Sequence, residues 1–518
     1  MYALLQWRKG SSFASDHIVV IVTLIIAAIV ASRFGTSKRN SFPLVNPPTW
    51  FQPRAVKYFE FLKNGMAIFS QSRSQHTEKP FRMLTEQGEF IVLPSRFGNF
   101  IRNELGLDFR TCINEDFHGY LPGFEPFGFL NDKSQILQTV VRKQLTKQLN
   151  TVTQPLSTEA TFATDLIFGN SSEWQEYPLK DSILDLVARL SSRVFLGDEI
   201  CRNDEWLWLT KEYTILAMKA ALKLQMLPRL LRPIVNMWDP DCRRLRVAIA
   251  HARQLITPIV EQRRKVTEQA RASGKPVTSS NDAIDWAESE IGHNSYDPAK
   301  LQLTLSFAAI HTTTDLLSQT LRMLAMNPIY IEPLRKEIIE VLRAEGWTKS
   351  ALYKMKLLDS AVKEAQRLKP NGLLMMRRYA TKDTQLPEGV TIYKGERIAI
   401  DGSNVMNPAI HENPENFDIY RFKSMREEPG NENKAQLVST SADHLVFGHG
   451  HFACPGRFFA SNEVKLALCH LLLKYDWKLV PGTPTKPVVN GVSMSISNKL
   501  QVMVRRRKEE INLESLRF

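Results

Sequence analysis

The segment Phe447-Gly448-His449-Gly450-His451-Phe452-Ala453-Cys454-Pro455-Gly456-Arg457-Phe458-Phe459 constrains this chain more than any other stretch. Gly448 and Gly450 allow a tight turn through backbone angles that side chains disfavour, and Gly456 lets the chain pass close to a flat ligand. Arg457 to Leu473 reads as a helix, so Cys454 lies just before a helix N-terminus. Amide N–H groups there favour a thiolate, hydrogen-bond its sulfur and tune the potential of a metal it binds. Two rival readings stand beside this one. Cys454 as a plain buried apolar residue is the usual fate of a free cysteine, but the glycine punctuation speaks against it. A zinc or copper site built from His449, His451 and Cys454, with His444 as a further ligand, is left open by spacing alone.

With 518 residues, 43% of them hydrophobic, the chain can bury a large core as one domain or two. Its five cysteines, Cys112, Cys201, Cys242, Cys454 and Cys469, include no C-x-x-C pair, which argues against a disulfide framework or a structural zinc module and for a reducing environment. The net charge of +13 is scattered through apolar segments without interleaved aromatics. It points to an acidic protein partner or an anionic membrane surface, not to nucleic acid.

Residues 1–16 form a tail, and residues 17–32 are an uncharged run bounded by Asp16 and Arg33, read as a single transmembrane anchor. A cleaved signal peptide is the rival reading. Residues 33–48 contain Phe42-Pro43-Leu44-Val45-Asn46-Pro47-Pro48, read as a hinge between anchor and body. Basic residues on both sides of the run orient a cytosolic body only slightly.

From residue 49 to 518 the pattern is mainly α with smaller β-sheets. Helical spacing runs through Ser182 to Leu196, Glu205 to Leu227, Leu245 to Ala270 and Pro298 to Met326, with β-type runs at Gly389 to Ile400 and Val492 to Val504. Ser273 to Ser295 reads as a surface loop. The helix after it is punctuated by Asp297 as N-cap, Pro298 at its first position and Asn327-Pro328 at its end, and spans about 43 Å. Leu227 to Val235, apolar with basic punctuation, is either a segment resting on lipid or an ordinary buried connection.

Phe447, Gly450, Cys454 and Gly456 together resemble the haem-binding signature of the cytochrome P450 family. Glu364-Ala365-Gln366-Arg367 matches its Glu-x-x-Arg motif, and Pro414 to Phe422 its meander segment, whose Arg421 completes a triad with Glu364 and Arg367. Ala308-Ala309-Ile310-His311-Thr312-Thr313 aligns with its distal Ala-Gly-x-acid-Thr-Thr. The resemblance covers residues 49 to about 507 and implies a P450 fold with haem b held by Cys454. It also implies Glu364, Arg367 and Arg421 as structural support, and Thr312 as the residue that delivers protons during oxygen activation. Taken alone, Thr312 is better read as bonding back to its own i−4 carbonyl. The chain departs from the pattern at His311, where the family has an acid, at Ala309 for Gly, and at Phe452, where the family places a cation for a haem propionate. Arg142 keeps the propionate role of the family's Trp-x-x-x-Arg although the Trp is missing.

The activity so implied is monooxygenation with O2, electrons coming from NADPH through a separate reductase, since the chain carries no nicotinamide or flavin fingerprint. A haem-thiolate isomerase or dehydratase that uses no O2 is the alternative, and a His/Cys zinc module a more distant one. The resemblance implies a single-pass protein of the endoplasmic reticulum whose catalytic domain faces the cytosol. Pocket positions offer Phe117, Tyr120, Phe124, Phe127 and Phe129, then Phe307, Ala308 and Ile310, then Leu373, Leu374, Met375 and Met376. Such a lining suits a bulky apolar molecule. Pro80-Phe81-Arg82, Lys363 to Arg367 and Phe447 to Gly450 are similar to the fungal branch that oxidises terpenoids, including kaurene oxidases and enzymes of indole-diterpene and meroterpenoid pathways, so a polycyclic terpenoid is expected.

Overall fold

The computed structural model describes residues 40–516 except 133, 278 and 293–294. The anchor expected at residues 17–32 lies outside the described residues. Among these, no helix is long and apolar enough to cross a membrane.

The helices that position the site are α1 (Arg54–Gln75), α2 (Thr153–Phe168), α3 (Leu179–Leu196), α4 (Asp204–Gln225), α5 (Pro240–Ala272), α6 (Ala283–Glu290), α7 (Pro298–Met326), α8 (Lys356–Leu368) and α9 (Arg457–Lys474). Long helix α7 has the ends its sequence specifies: the Asp297 carboxylate accepts from the Lys300 amide and Pro298 occupies the first turn. It packs against α3, α4, α5, α8 and α9. Its flanks are buried from Leu301 to Ser306 and from Thr313 to Leu324.

Five strands form the main sheet, β1 (Phe81–Thr85), β2 (Gly88–Leu93), β3 (Leu107–Asp108), β5 (Leu374–Ala380) and β6 (Arg397–Asp401), in the order β1-β2-β6-β5-β3. Only β2 and β6 pair in parallel. A three-stranded sheet joins β4 (Gln175–Pro178), β10 (Gln501–Arg506) and β7 (Tyr475–Leu479), and a hairpin joins β8 (Val488–Asn490) to β9 (Ser493–Ser495).

Several expectations need correction. The run read as a loop between Ser273 and Ser295 contains α6, capped by Asp282 and holding Ala283, Ile284, Trp286 and Ala287 in the core. Helix α5 begins at Pro240, five residues before Leu245, because Asp239 accepts from the Asp241 and Cys242 amides. The proline segment read as a hinge is docked from residue 40 onward. Val45 N–H donates to Arg82 O at 3.0 Å, Arg82 N–H to Pro43 O at 2.8 Å, and Asn46 Nδ2 to Leu84 O at 2.8 Å. The β run at Gly389 to Ile400 breaks at the turn before Glu396, where Gly395 takes a φ of +91°. Val492 to Val504 likewise divides into β9 and β10.

Candidate active site

The Cys454 segment folds onto the end of the short helix Phe97–Ile101 and the start of α9. Gly448 and Gly450 take φ of +67° and +74°. A Cβ on Gly450 would lie 2.4 Å from the Arg102 carbonyl oxygen, so only glycine allows this approach. The His451 amide donates to that same carbonyl at 2.9 Å, and the Cys454 amide closes the turn onto Phe447 O at 2.7 Å. Arg457 fastens the far side, giving Nη1 to Cys454 O at 2.8 Å and Nε to Val438 O at 3.0 Å.

Of the five cysteines four are buried, and Cys454 alone keeps partial exposure. Its burial among apolar neighbours pushes the thiol up, while the Gly456 and Arg457 amides and the Arg457 charge pull the other way. That donor set is the one expected around a thiolate that ligates a metal.

Two cations flank the segment. Arg142 sits in a π-helical stretch, Val140–Leu145, that continues the short helix Ile136–Thr139, and its Nη2 donates to His451 O at 3.0 Å. The second, Arg378, was not singled out from the sequence. It is 2% exposed, lies over the Phe452 ring at 5.0 Å and over Phe109 at 5.7 Å, and its Nε and Nη2 find no hydrogen-bond partner among the described residues. Burial pulls its pKa down to about 10. A buried guanidinium with two idle donors is costly unless an anion completes it. Set against a glycine-lined cysteine loop, it fits the propionate edge of a haem. Phe452 thus stands in the place of a cation and supports one on β5 instead.

On α7, Ala308 and Thr312 are exposed, one turn apart on a helix otherwise buried on both sides of this turn. The Thr312 hydroxyl donates back to Ala308 O at 2.8 Å, the bland arrangement noted for a helical threonine. His311 turns to α4: its Nε2 donates to the Lys211 carbonyl at 3.2 Å, so this nitrogen carries the hydrogen, and burial pushes its pKa down. The side chain in the acid position is therefore a tie between two helices.

Glu364 and Arg367 are fully buried, joined by Arg367 Nη2 to Glu364 Oε1 at 2.7 Å and Nε to Oε2 at 2.8 Å. Arg421 adds Nε to Glu364 Oε1 at 3.0 Å and gives Nη1 to Glu412 O at 2.7 Å. Arg421 thus fastens α8 to the meander, and Arg367 Nη1 adds a tie to Val405 O, in the turn Ser403–Met406, at 2.7 Å.

Metal binding by the histidines does not survive: among the described residues no group of three His, Cys, Asp or Glu could hold an ion. His444 is engaged by Gln366 at 2.8 Å and His449 by Thr440 at 3.0 Å. Of the expected pocket residues, Phe117, Phe127 and Phe307 form one cluster, with Phe117 stacked on Phe127 and Phe307 edge-on to it, both at 4.6 Å. Tyr213 of α4 stacks on Phe127 at 6.2 Å. Leu373 and Leu374 instead pack under the sheet with Phe61 and Phe90, and Met375 and Met376 with Ile91 and Ile400, so these four are core.

The family described as "Cytochrome P450" matches residues 127–504. Cytochrome P450 monooxygenase hepE of Aspergillus oryzae is 44% identical over 97% of this chain and 93% of its own length. Cytochrome P450 monooxygenase eqxH of Fusarium heterosporum is 40% identical over 96% of both chains. A solved structure, retinoic acid bound cyanobacterial CYP120A1, superposes with a TM-score of 0.64 at 19% identity, covering 90% of this chain and 100% of that one, a likeness of fold. With motifs, fold and relatives in agreement along nearly the whole chain, this protein belongs to the cytochrome P450 family and is a P450 monooxygenase.

Proposed function

We propose that Cys454 would ligate the iron of a haem b and that the enzyme inserts one oxygen atom from O2, the other leaving as water, into a C–H bond of a bulky apolar substrate, a polycyclic terpenoid or meroterpenoid of fungal secondary metabolism. The observation that carries the cofactor assignment is the pairing of the amide-braced Cys454 loop with Arg378, a buried cation whose Nε and Nη2 lack partners. Bound there, haem would supply the oxidising chemistry. Arg142 and Arg378 would hold its propionates. Phe447 and Gly456 would frame the loop that carries Cys454. Thr312 releases its back-bond to Ala308 and passes protons inward, its hydroxyl both donating and accepting. The Phe117, Phe127 and Phe307 cluster supplies an apolar wall that orients the substrate by shape. Electrons come from NADPH through a separate reductase.

The same reading places the protein at the endoplasmic reticulum membrane. Leu230 and Trp238 are each 81% exposed, and Ile234 and Met237 are exposed beside them, next to Arg229 and Arg243. That is the composition of a surface that rests on anionic lipid.

Expression with a fungal reductase and a panel of polycyclic terpenoids tests the substrate reading. A product one oxygen heavier and a shifted haem spectrum are expected for some of them; turnover of fatty acids or small phenols alone refutes it. Thr312→Ala should use NADPH and release peroxide with little product, and fully coupled turnover removes Thr312 from the mechanism.

A further inference from the structure

Three candidate sites of control lie around α7: the His311 tie to α4, the carboxyl of Glu463 buried against Ser191, and a buried ion pair between Asp315 and Lys369. The last is connected to the most.

Asp315 follows Thr312 by three residues, about 4.5 Å along the axis of α7, and is 8% exposed. Its Oδ2 receives the ammonium of Lys369, which is 2% exposed and lies just past the C-terminus of α8. Its Oδ1 accepts the Ile496 amide at 3.1 Å, immediately beyond β9. Lys369 Nζ also reaches Met494 O at 3.5 Å. One carboxylate thus joins the turn after Thr312, the chain leaving α8 and the end of the hairpin.

The last two segments are themselves stitched together. The Leu373 amide donates to Val492 O at 2.8 Å and the Met494 amide to Asn371 O at 2.9 Å, with Gly372 bridged to Ser493. A Cβ on Gly372 would stand 2.6 Å from Val492 O, so glycine permits this approach. At the other end of β9, Glu86 accepts the Val492 amide at 3.1 Å. The short run Val492–Ile496 is therefore held at both ends by carboxylates, while Asn371 and Ser493 between them remain exposed, as Thr312 does.

A buried ion pair contributes little net stability compared with apolar residues of the same volume, and its best-attested use is to fix one geometry among several. An apolar pair here would pack but would leave the Ile496 amide without its acceptor and would let the hairpin slide along α7. We propose that Asp315 and Lys369 are positioning residues that set the width of the substrate cavity, by tying the turn of α7 that carries Thr312 to the paired segments Asn371–Leu373 and Val492–Met494. This rests on the reading that Thr312 delivers protons at the site of reaction.

The test compares two azoles that bind haem iron, imidazole and the much bulkier clotrimazole, by optical titration of the ferric holoprotein. The variant is Asp315→Asn with Lys369→Met, which removes both charges of the pair together and keeps an acceptor for Ile496. Clotrimazole affinity should fall by about tenfold while imidazole affinity stays within about twofold. Equal loss for both ligands, or no change for either, overturns the proposal, because a merely structural role would not separate them by size. If the double variant does not retain haem, the same ratio is read on Asp315→Asn alone. Fully coupled turnover by Thr312→Ala would remove the functional reading instead, and the ratio would still report whether the pair shapes the cavity.

Discussion

Replacing Glu364 with glutamine puts an amide NH2 where a carboxylate now neutralises two guanidinium groups. Arg367, fully buried, would lose one of its two bonds of 2.7 and 2.8 Å, and Arg421 would face a neutral partner in place of the Oε1 it now meets at 3.0 Å. Losing one partner of a buried ion pair costs on the order of 3–5 kcal/mol, mostly because the remaining charge stays buried and uncompensated. The same carboxylate holds the meander, which continues through Arg457's bond to Val438 O into the Cys454 loop, so the loss should appear at the cofactor. The assay is the thermal decay of the carbon monoxide band of reduced protein near ~450 nm, which reports thiolate ligation, followed beside far-UV circular dichroism. Glu364→Gln should lose that band well below the wild-type temperature, with decay of the band preceding loss of helix. A variant whose band survives to the wild-type temperature would refute the argument that this cluster supports the loop.

Arg378→Met should leave the apoprotein as stable as wild type or more so, since it removes a buried cation with idle donors, yet speed haem release to apomyoglobin by ~10- to 100-fold, the worth of one charge-assisted hydrogen bond; unchanged release refutes its propionate role. Burial lifts the Glu463 pKa to about 8 from an ordinary 4.5, against the hydrogen bond from Ser191. The folded protein therefore keeps a proton that the unfolded chain gives up, so stability falls as pH rises from 4.5 through about 8. Glu463→Gln should gain a few kcal/mol over wild type at pH ~7.5 and little at pH ~5; an equal gain at both values contradicts this. The chain lacking residues 1–33 should still cosediment with anionic vesicles, and Leu230→Ser with Trp238→Ser should abolish that binding; undiminished binding places the contact elsewhere.

The parts of the site that could be read from sequence are those whose determinants are local. Asp297-Pro298 and Asn327-Pro328 fix both ends of α7 within a few residues, and the glycines around Cys454 announce a turn that the structure builds at those positions. Arg378 was hidden because two adjacent arginines lie in the middle of an apolar strand and alternation cannot say which turns inward. A register shift between Met375 and Arg378, with Met376 at a φ of +45°, decides it. The docking of residues 40–46 depends on Arg82 and Leu84, far along the chain, and was read as a hinge because prolines look alike in both settings. Leu373 to Met376 were apolar as a pocket requires, but apolar strand residues are as often core, and here they are. His311 carries no local sign of its partner, a backbone carbonyl of Lys211 in a helix 100 residues away.

The claim that Cys454 ligates the haem iron is tested most directly by the reduced, carbon monoxide-bound spectrum of purified wild-type protein and of Cys454→Ala. Wild type should show the Soret band near ~450 nm and the variant should lack it, because the other four cysteines are buried and only Cys454 sits in the amide-braced turn. Persistence of the band in Cys454→Ala, or its absence from haem-loaded wild type, would contradict the account.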